Sequence, residues 1–131
     1  MADLEGIYKD IKDVLKAHSE SLLVKDHYIG SKAKDAKPAY HLYGTEDVSI
    51  LGKDPQKTYI AGVIQQKNYV SFYFNPIYSH PESFSDINPE LKRFLKGKSC
   101  FNLTKITPTL LREIEDLVVD GIKKYRQLGW I

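Results

Sequence analysis

Two runs rich in β-branched and aromatic residues, KTYIAGVIQ (Lys57–Gln65) and YVSFYF (Tyr69–Phe74), stand only three residues apart. Such runs favour extended backbone, and Gln66, Lys67 and Asn68 between them leave room for little but a tight hairpin. Alternation within the second run puts Val70, Phe72 and Phe74 on one face and Tyr69, Ser71 and Tyr73 on the other. A lone hairpin is marginal in water, so the rest of the chain must add strands to it and cover one of its faces.

The cover is written at the two ends. Leu4, Ile7, Tyr8, Ile11, Val14 and Leu15 recur at helical spacing, while Lys9, Asp10, Lys12, Asp13 and Lys16 fill the other side. Thr107 and Pro108 open a longer helix whose apolar stripe is Leu110, Leu111, Ile114, Leu117, Val118, Ile122, Tyr125 and Leu128. Between them, NPELKRFLKG predicts a short helix, with Asn88 as its cap, Pro89 at its first position and Gly97 just past its end. AYHLY (Ala39–Tyr43) and SCFNLT (Ser99–Thr104) read as two further strands. Gly44, Gly52 and Asp54-Pro55 punctuate turns between the first two strands, and Asn75-Pro76 ends YVSFYF. A short apolar run at Leu22–Val24 and a lysine-bearing loop from Gly30 to Lys37 complete the first half. The expectation is one α+β domain over residues 1–131: an antiparallel sheet with an N-terminal helix, a short middle helix and a long C-terminal helix packed on it.

Composition bounds the function. A chain of 131 residues has the size of one domain and buries enough surface to fold without a disulfide or a metal. Cys100 is the only cysteine, which excludes an internal disulfide and suits a reducing cytoplasm. The charged start MADLEGIYKDIKDVLK lacks the apolar stretch of a secretory signal, and no run approaches the ~20 apolar residues of a membrane span. A net charge of +2 gives no general field for nucleic acid, so none is expected as a partner.

The helix, the KPAY strand (Lys37–Tyr40), the AGVIQQKNYVSFYF hairpin (Ala61–Phe74), the Asn-Pro helix, LKGKSCFNL (Leu95–Leu103) and the long last helix come in an order that resembles the YdhG-like family. That is a bacterial domain family of unknown function. The resemblance covers most of the chain from Lys37 onward and implies fold more than chemistry. One branch of the family is described as frataxin-like iron chaperones. The resemblance therefore implies iron held by surface carboxylates, whereas the first helix here alternates acids with lysines.

The residues carry no catalytic constellation. His18, His27, His41 and His80 are scattered, without the paired spacing of a zinc or di-iron motif. Glu113, Asp116 and Asp120 share one side of the last helix with Lys123 and Lys124, the pattern of a solvated face. Cys100 lacks a histidine at catalytic spacing and reads as a structural thiol. SKAKDAK, near Tyr40, His41 and Tyr43, reads as a solvated loop that an anion could contact.

Aromatics are the stronger signal. NYVSFYFNPIYSHPESF concentrates Tyr69, Tyr73, Tyr78 and His80 in one span, with Tyr59 across the hairpin. Tyrosine joins a large apolar area to a hydroxyl and favours half-wet clefts and interfaces. The IYSHPESF segment is expected to fold over the tyrosine-bearing sheet face. Tyr40, Tyr43, Tyr69, Tyr73, Tyr78 and His80 are the candidate binding residues, against the plainer reading of a cross-strand aromatic cluster. The expected function is non-enzymatic binding of a small ligand, or of a metal (iron, by the resemblance alone). The alternative is an interaction or homodimer module that uses the tyrosine-rich face.

Overall fold

The computed structural model describes residues 3–26, 38–49 and 54–131. Helix α1 (Leu4–Ala17) starts at Asp3, whose carboxylate accepts from the Gly6 amide at 3.0 Å. Among the described residues six strands follow the turn after it: β1 (Leu23–Lys25), β2 (Ala39–Val48), β3 (Gln56–Gln65), β4 (Val70–Phe74), β5 (Leu95–Lys96) and β6 (Cys100–Leu103). They form one antiparallel sheet in the order β1-β2-β3-β4-β6-β5. Helices α2 (Asn75–Ser79) and α3 (Pro89–Lys92) lie between β4 and β5, and α4 (Pro108–Gln127) closes the chain. This is the expected α+β arrangement. Among the described residues no helix is long and apolar enough to cross a membrane.

The core lies between one sheet face and helices α1 and α4. Cross-strand rows such as Tyr40–Val63–Phe72–Phe101 and Leu42–Ala61–Phe74 supply the sheet side. Ile11 and Leu15 of α1, with Ile114, Val118 and Tyr125 of α4, supply the other. His18 at the end of α1 and Glu115 on α4 meet at 3.1 Å and tie the two helices at their solvent edge. Thr107 caps α4 by accepting from the Leu110 amide, as its position before Pro108 predicts.

Several local expectations are corrected. The middle helix stops at Lys92, and Gly97 is no helix cap. Leu95 and Lys96 instead pair with Phe101 and Cys100, which makes Gly97 (φ +73°) the left-handed residue of a hairpin turn. Pairing with β6 offers these two residues more than another half-turn of an isolated helix would. Gly44 marks no turn: β2 runs through it to Val48, with register shifts on either side of Tyr43. The IYSHPESF segment is not a loop over the tyrosine face. It forms α2 and a 3₁₀ turn (Pro81–Phe84), whose Ile77 and Phe84 are buried in the helix-side core, with Phe84 edge-on to Phe74 at 5.1 Å. Burying those two side chains draws the segment off the middle of the tyrosine face, while its Tyr78 and His80 stay beside Tyr43 and Tyr59 at the end of the sheet. The Gly30–Lys37 loop, Gly52 and His27 lie outside the described residues.

Candidate functional site

The sheet face away from the helices carries the polar and aromatic residues. One row across it reads Lys25, His41, Gly62, Tyr73, Cys100 and Lys96. Tyr59 bends onto the same face beside a register irregularity, with its hydroxyl 3.1 Å from His41 Nδ1 and its ring edge-on to Tyr43 at 5.2 Å. Lys25 Nζ sits over the Tyr43 ring at 4.7 Å. Asn102 Oδ1 accepts from both Ser71 Oγ and Cys100 Sγ. Burial drives the Tyr59 hydroxyl well above its ordinary pKa, with Tyr43, Tyr73 and Cys100 adding to the effect. It also raises the Cys100 thiol, partly offset by hydrogen bonds with Ser71 and Tyr73. The middle of this face is closed within the single chain, since His41 is 4% exposed and Ser71 1%.

The open concavity lies at the end of the sheet. β4 stops at Phe74, which pairs with Ala61, whereas β3 and β2 continue past that point as a two-stranded ribbon. The chain turns away into α2, and between α2 and the ribbon lies a cleft of about 880 Å³. That size falls in the usual range for small-molecule sites, roughly 300–1,000 Å³. Tyr43, Tyr59, Tyr78, His80 and Trp130 bring rings to it, and Gln56, Thr58, Asn75 and Ser79 bring neutral hydrogen-bonding groups.

One wall is held by a chain of polar contacts. Asn75 Nδ2 donates to the Tyr125 hydroxyl at 3.0 Å, that hydroxyl lies 2.7 Å from Ser79 Oγ, and Ser79 Oγ lies 2.9 Å from His80 Nδ1. Burial raises the Tyr125 pKa, with Ser79 and Asn75 opposing. Trp130 packs on both His80 (5.2 Å) and Tyr125 (5.0 Å), and its carbonyl accepts from Thr58 Oγ1 at 3.2 Å. The C-terminal turn is thereby fastened to β3, and Ile131 rests against Gly44. A polar network satisfied in this way holds its side chains in place.

The candidate residues separate. Tyr43, Tyr78 and His80 come together in the cleft. Tyr73 stands on the outer face beside Cys100, and Tyr69 closes the β3–β4 turn, where its carbonyl accepts from the Gln66 amide. Tyr40 is 7% exposed and belongs to the helix-side core, with Lys12 over its ring at 5.7 Å. Trp130, Asn75 and Ser79 line the cleft without having been expected there, because only the folding back of the last residues brings Trp130 to β3. Among the described residues no three His, Cys, Asp or Glu side chains converge as a metal donor set.

No protein-family model, no curated protein and no solved structure matches this chain.

Proposed function

We propose that this protein is a non-enzymatic binding protein whose ligand occupies the cleft between the β2–β3 ribbon and α2. The observation that carries this reading is the convergence there of five rings and several neutral hydrogen-bonding side chains around one cavity of small-ligand size. Aromatic walls supply apolar contact and the few polar groups fix orientation. The preordered wall from Asn75 to His80 lowers the ordering cost of binding. Iron, the ligand that resemblance to YdhG-like domains suggests, has no converging donor set among the described residues to support it.

The chain contains one tryptophan, Trp130, and it lines the cleft. Its emission therefore reports occupancy directly. A library of small metabolites screened by Trp130 fluorescence should yield ligands that shift the emission, and Tyr43→Ala should weaken them. Ligands that stabilise the protein without touching Trp130 emission would place binding elsewhere and end this assignment. Anaerobic titration with ferrous ion is the companion measurement, expected to show no stoichiometric site.

A further inference from the structure

We infer that the cleft receives an extended peptide segment, which adds as a strand to the free edge of β3 between Gln56 and Tyr59. This inference rests on the cleft being the binding site and names the chemistry of what it binds.

The first observation is which residues of β3 line the cavity. Gln56, Lys57, Thr58 and Tyr59 all do so, four in succession. Alternate residues of a strand point to opposite faces. Four in a row line one cavity only if that cavity runs along the strand's edge.

The second observation is that, among the described residues, no strand pairs with this edge. Ala61 is the first β3 residue with a partner on β4, and before it β3 is paired only with β2, through contacts such as Asp47 with Lys57 and Val48 with Gln56. Among the described residues no strand lies on the other side of Gln56–Ile60. A row of unpaired amides and carbonyls is a template for another strand, and natural proteins commonly guard such edges with proline or charge. Here the stretch holds no proline, and its one charged residue, Lys57, is held 2.9 Å from Asp47 of β2.

The walls suit the alternation of an added strand. Thr58 leans to the side where Trp130 lies, while Tyr59 and Tyr43 stand on the other face. Successive side chains of a docked segment therefore meet rings on both faces, while its backbone bonds to β3 about 4.8 Å away. Among the described lining residues Lys57 is the only Lys, Arg, Asp or Glu, and it is already paired. The partner segment is accordingly uncharged, with aromatic or branched apolar residues at alternate positions.

The test uses the full chain. Short random linear peptides displayed on phage are selected against it, and the winners are synthesised as free peptides. The expected winners shift Trp130 emission and slow hydrogen exchange of the edge-facing amides between Gln56 and Tyr59. In a strand only alternate amides face the neighbour, so N-methylation at positions of one parity should weaken binding by about tenfold or more, and at the other parity far less. Winners insensitive to N-methylation, or equally sensitive at both parities, overturn strand addition. So do selections whose winners leave Trp130 unmoved. If small molecules shift Trp130 and no peptide does, the cleft stands as a site and the peptide inference falls. If neither does, both fall. Concentration-dependent protection of the same amides, with a dimer by light scattering, would assign the edge to a second copy of this chain and likewise overturn the inference.

Discussion

His41 Nδ1 and the Tyr59 hydroxyl meet at 3.1 Å over the backbone of Gly62, where a Cβ would collide with both. Glycine at this position is thus a requirement of close approach and not of backbone angle. Gly62→Ala should destabilise the fold by about 1–3 kcal/mol, as overpacking of a closed site does. Adding Tyr59→Phe removes one of the two clashing atoms and should recover part of the loss. Urea denaturation of the single and double variants measures the coupling, and strict additivity would mean that the two residues do not compete for this space.

The same tyrosine makes stability depend on alkaline pH. Tyr59 titrates well above its ordinary value of 10.0 in the folded chain, chiefly because burial penalises the phenolate. Its folded pKa exceeds its unfolded one, so its contribution is fully present below about pH 10 and is lost as pH rises through the folded value. Stability should decline above that pH, and the decline should be shallower in Tyr59→Phe. It should not vanish, since Tyr8, Tyr43 and Tyr125 are also raised by burial. Denaturation midpoints collected across the alkaline range test this; identical slopes for the two proteins would contradict it.

Phe72 and Tyr73 are neighbours on β4 with opposite fates. Phe72 is fully buried and stacks between Phe74 (6.1 Å) and Phe101 (5.9 Å). Tyr73 is only partly buried, across the sheet from Gly62 and Cys100. Phe72→Ala should cost about 3–5 kcal/mol through the cavity it leaves. Tyr73→Ala should cost less than about 2 kcal/mol, because a partly exposed ring leaves less void. Equal losses in chemical denaturation would make the outer face a second core surface.

These contrasts separate what local pattern specifies from what only the assembled sheet decides. Period-two alternation assigns Phe72 and Phe74 to the core, and helical spacing finds most of the buried stripes of α1 and α4, because burial acts residue by residue along each element. At the stripes' margins Leu4 and Leu111 are only partly buried and Leu128 is exposed. Tyr40 escaped that logic. Its neighbours His41 and Tyr43 are polar-faced aromatics, and only the register Tyr40–Val63–Phe72 shows that it turns inward. The cleft was half legible: Tyr43, Tyr78 and His80 stood out as aromatics, but no local pattern predicts that residues 128–131 return to β3. Nor does composition reveal that β3 outruns β4, which depends on where Asn75-Pro76 turns the chain relative to Ala61.

Cys100 has a structural environment that predicts its reactivity. Burial raises its thiol pKa, and its Sγ donates to Asn102 Oδ1 at 3.2 Å. The thiolate is the reactive form, so little of it is present near neutrality. A thiol reagent should label the native protein more slowly than the denatured one, and native labelling should accelerate only at pH values above the ordinary thiol range near 8.5. Rapid native labelling at pH 7 would mean that Lys96, the cross-strand neighbour of Cys100, activates the thiol.

The hydroxyl of Tyr125 is the most informative single group in the cleft wall. It receives Asn75 Nδ2 and shares a hydrogen bond with Ser79 Oγ, while its ring, fully buried, carries Trp130 at 5.0 Å. Tyr125→Phe keeps the ring and its packing but strands the Asn75 amide and loosens Ser79. The stability cost should be about 1–3 kcal/mol, the desolvation penalty of a polar group left without its partner. The loss of order should reach His80 through Ser79, and with it the face on which Trp130 rests. We therefore expect a shifted Trp130 emission in the ligand-free variant and weaker binding of any cleft ligand. Asn75→Ala in the same background should recover stability by removing the stranded donor. Were the double variant no more stable than Tyr125→Phe alone, the Asn75–Tyr125 contact would not be what holds this wall.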